Sequence, residues 1–192
     1  CDEIKLMFNN DKQTKVDIVA NTEFLREGSA IQDFMCPDRI VIGSDNQKSI
    51  EILKNIYNKL ADLGYKIIYT NTKSAELAKY AANSFLAMKV SFINEISDLC
   101  ETTGADIDEV KNIIGSDKRI GEKFLQPGPG YGGSCFPKDL SSLVNLAKSN
   151  DNRIEIVEQV IASNDYRKSK LANRITSKLN QGRVSNITIL GV

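Results

Sequence analysis

Cys135 ends a glycine-rich turn in the run Tyr131-Gly132-Gly133-Ser134-Cys135-Phe136-Pro137-Lys138-Asp139-Leu140, with a lysine three residues on and an aspartate four residues on. A thiol so placed suits nucleophilic attack better than a structural role. Glycines at 128, 130, 132 and 133 remove side chains where a backbone could approach a ligand closely. The run Asp139-Leu140-Ser141-Ser142-Leu143 reads as a helix start, which would set helical N–H dipoles near the sulfur. Those dipoles and Lys138 both favour negative charge there. Plainer readings stand beside this one: a small buried cysteine, a tight turn, and Asp139 as an ordinary cap. The decapeptide alone leaves them open.

Composition narrows the chemistry. The chain has no histidine, so a Ser–His or Cys–His hydrolase lacks its base, and proton transfer falls to carboxylate, lysine, tyrosine, thiol or water. Cysteines 1, 36, 100 and 135 show no short paired spacing, so no metal site is expected, and reduced thiols point to the cytoplasm. Lys plus Arg and Asp plus Glu each number 25, which gives no global field to draw in nucleic acid. No apolar run approaches the ~20 residues a bilayer span needs, and Cys1-Asp2-Glu3-Ile4 is not a signal peptide. Neither a nucleic acid nor a membrane is expected as partner. Arg167-Lys168-Ser169-Lys170 reads as the wet face of a helix.

The elements that must position these groups fall into two styles. Residues 1 to about 73 read as α/β, with strands over Val16–Ala20, Arg39–Gly43 and Lys66–Tyr69. A helix over Gln47–Leu60 carries Ile52, Leu53, Ile56, Tyr57 and Leu60 inward. No G-x-G-x-x-G follows a strand, so a dinucleotide phosphate turn is missing from the sequence. From about Ser74 long helices take over: Leu77, Ala81, Phe85, Met88, Phe92, Ile96 and Leu99 recur at helical spacing up to Thr102-Thr103-Gly104. Helices are predicted over Asp106–Ile114, Asp139–Ser149 and Ile154–Leu179, and a final strand over Asn186–Val192.

Several segments occur here in one order: Asn21-Thr22-Glu23-Phe24-Leu25-Arg26-Glu27-Gly28, Pro37-Asp38-Arg39-Ile40-Val41-Ile42-Gly43, Ala75-Glu76-Leu77-Ala78-Lys79-Tyr80-Ala81-Ala82-Asn83-Ser84-Phe85, Arg119-Ile120-Gly121 and the cysteine decapeptide. With them the chain closely resembles the UDP-glucose/GDP-mannose dehydrogenase family nearly end to end. Ser134 and Phe136-Pro137-Lys138-Asp139 argue against the sister enzymes of UDP-N-acetylhexosamines, and GDP-mannose is the competing substrate. The resemblance implies an internal piece of a longer enzyme. Residues 1–73 would be the end of a truncated, Rossmann-like NAD domain, 74–182 a helical, 6-phosphogluconate-dehydrogenase-like middle domain, and 183–192 the first strand of a UDP-binding domain. The long helix over Ile154–Leu179 would link the two α/β domains.

The implied activity is NAD-dependent double oxidation of UDP-glucose to UDP-glucuronate through a cysteine thiohemiacetal and thioester, in a homodimer held by the helical domain. By resemblance Cys135 is the nucleophile, Lys79 and Asn83 are donors to the sugar oxygen, and Asp139 and Glu23 handle water and protons. The same resemblance assigns substrate contacts to Glu23, Phe24, Leu25, Arg26, Lys79, Asn83, Phe124, Leu125, Gln126, Pro127, Gly128 and Gly132. Glu27 and Lys138 fall on the cofactor side, and Arg119 matches an arginine that reaches the neighbouring subunit's substrate. From the helix alone, Lys79 and Asn83 read equally as surface polar groups, and Arg119 as a surface charge before a glycine turn. Thr22 departs from the family's usual proline. With the first half of the NAD domain missing, the chain alone is expected neither to hold NAD tightly nor to turn over, and an idle helical dimerisation module is the alternative.

Overall fold

A computed structural model describes residues 1–9, 16–180 and 187–188. It divides into two compact units, Cys1–Ala82 and Asn83–Val192. The predicted final strand lies outside the described residues, apart from Ile187 and Thr188.

The first unit contains α1 (Asp2–Asn9), α2 (Ala30–Met35), β1 (Ile40–Gly43), α3 (Gln47–Asp62), β2 (Ile67–Thr70) and the start of α4 (Thr72–Thr103). The strands pair in parallel, Ile40 opposite Ile67 through Gly43 opposite Thr70, with α3 as the crossover. Every residue of β1 is buried, as its unbroken apolar run requires of a covered parallel strand. Gly43 lets that strand meet α4, because a Cβ there would stand 2.5 Å from Ala75 Cβ. Asn46 caps α3, its side chain accepting from Lys48 N–H at 2.8 Å and Ser49 N–H at 3.4 Å.

The molecule departs from the sequence expectation at the strand over Val16–Ala20 and at the inward face of α3. Among the described residues Val16–Ala20 forms no strand ladder; only Ala20 bridges Gly43, exchanging backbone bonds of 2.9 and 2.8 Å. Side-chain bonds hold this stretch instead: Asp17 accepts from Asn46 Nδ2 at 2.8 Å and from Ser49 Oγ at 3.1 Å, at the start of α3 where an anion is favoured. Asn21 Nδ2 donates to the Val41 carbonyl at 2.8 Å. That docking also fixes the rotation of α3. Ser49, Leu53, Tyr57 and Leu60 face inward, while Ile52 and Ile56 lie one residue, about 100°, round the helix and are exposed.

Among the described residues Thr22 Oγ1 is buried with no hydrogen-bond partner. Thr22→Val is expected to raise the free energy of unfolding by about 1 kcal/mol, because it replaces an unsatisfied buried hydroxyl with a methyl of similar size. A lower urea midpoint in the variant would show the hydroxyl to be bonded.

The second unit holds the rest of α4, then α5 (Ile107–Gly115), α6 (Phe136–Lys148) and α7 (Glu155–Asn180). Its core is Ala87, Tyr131, Leu140 and Val160, flanked by Met88, Phe136, Val157 and Ile161. The buried side of α4 is unusually polar, with Asn83, Ser84, Ser91 and Asn94 inside. The apolar stripe read from the sequence is split: Leu77, Phe85, Phe92 and Leu99 are 48 to 59% exposed, whereas Met88 packs against the core. Among the described residues no helix is long and apolar enough to cross a membrane.

Arg167 and Lys170 depart from the wet face expected of them. Both reach Asp98 on α4, Lys170 Nζ at 2.7 Å and Arg167 through its Nη1. Burial works against the Asp98 charge, yet the bonds from Lys170 and Arg167 hold its carboxyl below the ordinary aspartate value. A depressed folded value means stability that is present above the unfolded pKa and lost as pH falls through the folded one. Asp98→Asn is therefore expected to destabilise the protein at pH 7. The deficit should shrink in denaturant melts as pH falls from about 4, the ordinary aspartate value, through the lower value at which the folded parent's carboxylate takes up its proton.

Candidate active site

Cys135 is the N-cap residue of α6, with φ −89° and ψ −59°, and Pro137 stands in the first turn where its missing N–H costs nothing. The helix thus begins at Phe136, three residues before the predicted Asp139. Asp139 lies one turn in, 4% exposed, its N–H donating to the Cys135 carbonyl at 2.9 Å. From α4, Asn83 Nδ2 donates to Asp139 Oδ2 at 2.5 Å, a buried bond between residues distant in sequence. Lys138 Nζ lies 3.7 Å from Asp139 Oδ1 on the exposed side. Ser134 Oγ is 3.6 Å from Cys135 Sγ. A half-buried thiol therefore sits at a helix N-terminus, one turn from a buried carboxylate held by an amide.

The loop leading to the cysteine is gripped by its backbone. Gly128 N–H donates to Asn94 Oδ1 at 2.7 Å, and the Gly128 carbonyl accepts from Arg167 Nε at 3.0 Å. Tyr131 exchanges two bonds with the Asn164 amide, 2.8 Å to Oδ1 and 3.1 Å from Nδ2. Burial, with Asp165 nearby, pushes the Tyr131 hydroxyl up to about 12, so it stays neutral at physiological pH. The sequence reading missed Asn94, Asn164 and Arg167. Each sits in a helix that reads as amphipathic and polar, and only the loop they touch reveals their use.

Upstream in the same loop, Phe124 adopts φ +66°, a conformation rare outside glycine and concentrated at functional sites. Its ring meets Phe136 at 6.1 Å. Leu125 is buried, and Gln126 Oε1 accepts from Lys111 Nζ at 2.7 Å. Phe124, Leu125 and Gln126 join Lys111, Asn112 and Glu122 around a pocket of about 140 Å3. A Cβ on Gly128 or Gly132 would meet nothing within 4 Å, so both leave open space beside the backbone. Arg119 does not join the cysteine's neighbours; it chelates Asp117 with bonds of 2.5 to 3.1 Å and is 89% exposed. Lys89 Nζ fixes the following turn through the carbonyls of Ile120 at 2.9 Å and Gly121 at 3.1 Å.

In the first unit Lys79 Nζ donates to the Glu23 carbonyl at 2.6 Å and to Glu23 Oε1 at 3.0 Å. The ammonium also stands 5.3 Å from the Phe24 ring, over which Arg39 Cζ lies at 3.6 Å. Leu25 N–H closes onto Glu23 Oε2 at 2.7 Å. Arg26 is committed to Asp33 through Nη2 at 2.6 Å and Nε at 3.0 Å, which holds the Asp33 carboxyl far below its usual range. Glu27 is exposed on the turn before α2. Lys79 is thus a held cation rather than a loose surface lysine.

Comparison with known proteins agrees over both units. Residues 1–61 match the sequence model described as UDP-glucose/GDP-mannose dehydrogenase family, NAD binding domain, and residues 73–166 match that family's central domain. The UDP-glucose 6-dehydrogenase of Rickettsia bellii is 46% identical over 193 residues, an alignment covering 100% of this chain and 44% of that protein. The enzyme of the same name from Rhizobium meliloti is 45% identical, with 100% of this chain and 45% of the relative covered. The chain therefore spans less than half the length of these relatives. A solved UDP-glucose dehydrogenase from Pyrobaculum islandicum superposes with a TM-score of 0.79 at 37% identity, over 85% of this chain and 37% of the other.

Proposed function

Since the chain belongs to the UDP-glucose/GDP-mannose dehydrogenase family, we propose that it supplies the nucleophile and the central domain of an NAD-dependent UDP-glucose 6-dehydrogenase. The observation that carries this reading is the buried Asn83–Asp139 bond one turn into the helix that Cys135 caps. A structural cysteine would need no such fixed carboxylate one turn along its helix.

The sugar's C6 alcohol becomes an aldehyde, and the Cys135 sulfur adds to its carbon while the carbonyl oxygen takes a proton. Loss of hydride and a proton from that thiohemiacetal leaves a thioester. Water then adds to the acyl carbon and expels the thiolate, giving the carboxylate. NAD, when bound, supplies the acceptor for both hydrides. Asp139 is assigned to orient and deprotonate the water, with Asn83 fixing the carboxylate. Lys79 is assigned to steady the developing negative charge on the C6 oxygen, with Glu23 holding its ammonium. Phe124–Gly128 and Gly132, together with Glu23–Arg26, are assigned to the nucleotide sugar.

The donor set suits the cofactor only in part. Glu27 and Lys138 are both exposed, a carboxylate fit for a ribose diol and an ammonium fit for a phosphate. The turn after β1, however, is Ser44-Asp45-Asn46, with no glycine run to cradle a pyrophosphate. The 192-residue chain alone is therefore expected to bind NAD weakly and to make no NADH.

The open apolar stripe of α4 supports a homodimer through the helical domain, because four large side chains repeat along one line of a long helix. Phe85→Glu with Phe92→Glu is expected to halve the mass read by light scattering; an unchanged mass would remove α4 from the interface. The function itself is tested by assaying the protein at its natural full length with NAD and either UDP-glucose or GDP-mannose. NADH formed with UDP-glucose, two per sugar, is the expected result. Turnover with GDP-mannose alone, or with neither, would overturn the reading.

A further inference from the structure

We infer that Asn164 is a positioning residue for Cys135, acting through the main chain of Tyr131; the inference rests on the reading of Cys135 as the nucleophile. The Asn164 side chain is 3% exposed and spends both its polar atoms on one peptide residue, accepting from Tyr131 N–H at 2.8 Å and donating to the Tyr131 carbonyl at 3.1 Å. Buried so deeply, an amide is satisfied only while the loop keeps its place. Gly130 completes the fit. Its φ is +119°, and a Cβ there would lie 2.6 Å from Asn164 Oδ1, so only glycine admits the amide.

From this fixed point the path to the thiol is short. The Tyr131 ring stands edge-on to Phe136 with centroids 5.8 Å apart, and Phe136 is the first residue of α6, next to Cys135. Between Tyr131 and Ser134 come Gly132 and Gly133, where a Cβ would meet nothing within 4 Å. Such a glycine pair gives the approach to the thiol many conformations unless both of its ends are held. Asn164 holds one end and α6 the other. Asn94 and Arg167 do the same three residues earlier at Gly128, again through backbone atoms only. A clamp on main-chain atoms leaves the loop's side chains and open glycine edges available to a ligand.

The test compares iodoacetamide labelling of Cys135 with that of buried Cys100, which reports global opening. In Asn164→Ala, Cys135 is expected to label about tenfold faster while Cys100 is unchanged, the signature of a local opening. If both cysteines accelerate together, or neither does, Asn164 is a general stabilising residue and the inference fails. Should that variant not fold, Gly130→Ala, whose Cβ would push the loop off the Asn164 amide, must give the same selective rise. In the unaltered protein the Tyr131 amide must exchange hydrogen as slowly as the amides inside α6; exchange as fast as that of Gly132 also overturns the proposal. Failure of the enzymatic reading would appear separately, as absence of NADH from UDP-glucose with the labelling pattern intact.

Discussion

Cys135→Ser is expected to leave folding unchanged and to lower carboxylate production from UDP-glucose on the order of a thousandfold or more, measured as NADH formed by the full-length protein. The substitution changes one atom at a half-buried N-cap position whose side chain makes no capping hydrogen bond, so no helix contact is lost. Helix α6 should therefore start as before, and the thermal midpoint should stay within a degree or two of the parent or rise. The chemistry changes far more. A serine hydroxyl is a much weaker nucleophile near neutral pH than a thiol. Any ester it forms also has an alkoxide leaving group, which water displaces less readily than thiolate. Turnover in the variant within about tenfold of the parent would show that the thiol is not on the reaction path, since loss of a covalent nucleophile costs far more than that.

The sequence made α3 to α7 and the cysteine turn legible because their signals are local, whereas the short α1 and α2 went unread. Asn46 and Asp106 cap α3 and α5, Gly64 and Gly104 adopt positive φ just past α3 and α4, and the glycine run before Cys135 could be read off directly. Rotation was harder. The apolar residues of α3 cover more than one face, and long-range bonds, those of Asp17 to Asn46 and Ser49 and of Tyr57 to Asn21, decide that Leu53 and Tyr57 turn inward while Ile52 and Ile56 do not. On α4 the helix was right but its inward face was not, because Asn83, Ser84, Ser91 and Asn94 are buried beside Ala87 and Ile93 while Phe85 and Phe92 are exposed. The Asn94 and Asn164 clamps could not be seen at all without the fold. A single asparagine in a helix carries no mark of the backbone it will bind from a loop more than thirty residues away.

The buried Asn83–Asp139 pair makes the second large prediction, one of stability as well as chemistry. Asn83→Leu should destabilise the protein by roughly 3 kcal/mol, because it strips the amide donor from a carboxylate that stays buried. Asp139→Leu should cost a similar amount by leaving the Asn83 amide without its acceptor. The double variant removes both polar groups, so it should recover much of the loss, and the cycle should give a coupling of about 2 kcal/mol. All three variants are expected to lose thioester hydrolysis, since none retains a carboxylate held in place by the amide. Restored stability without restored turnover separates the two roles of the pair. Additive losses in the double variant would mean that the bond is not formed in solution. Asp139 would then have no fixed direction from which to aim water at an acyl group on Cys135.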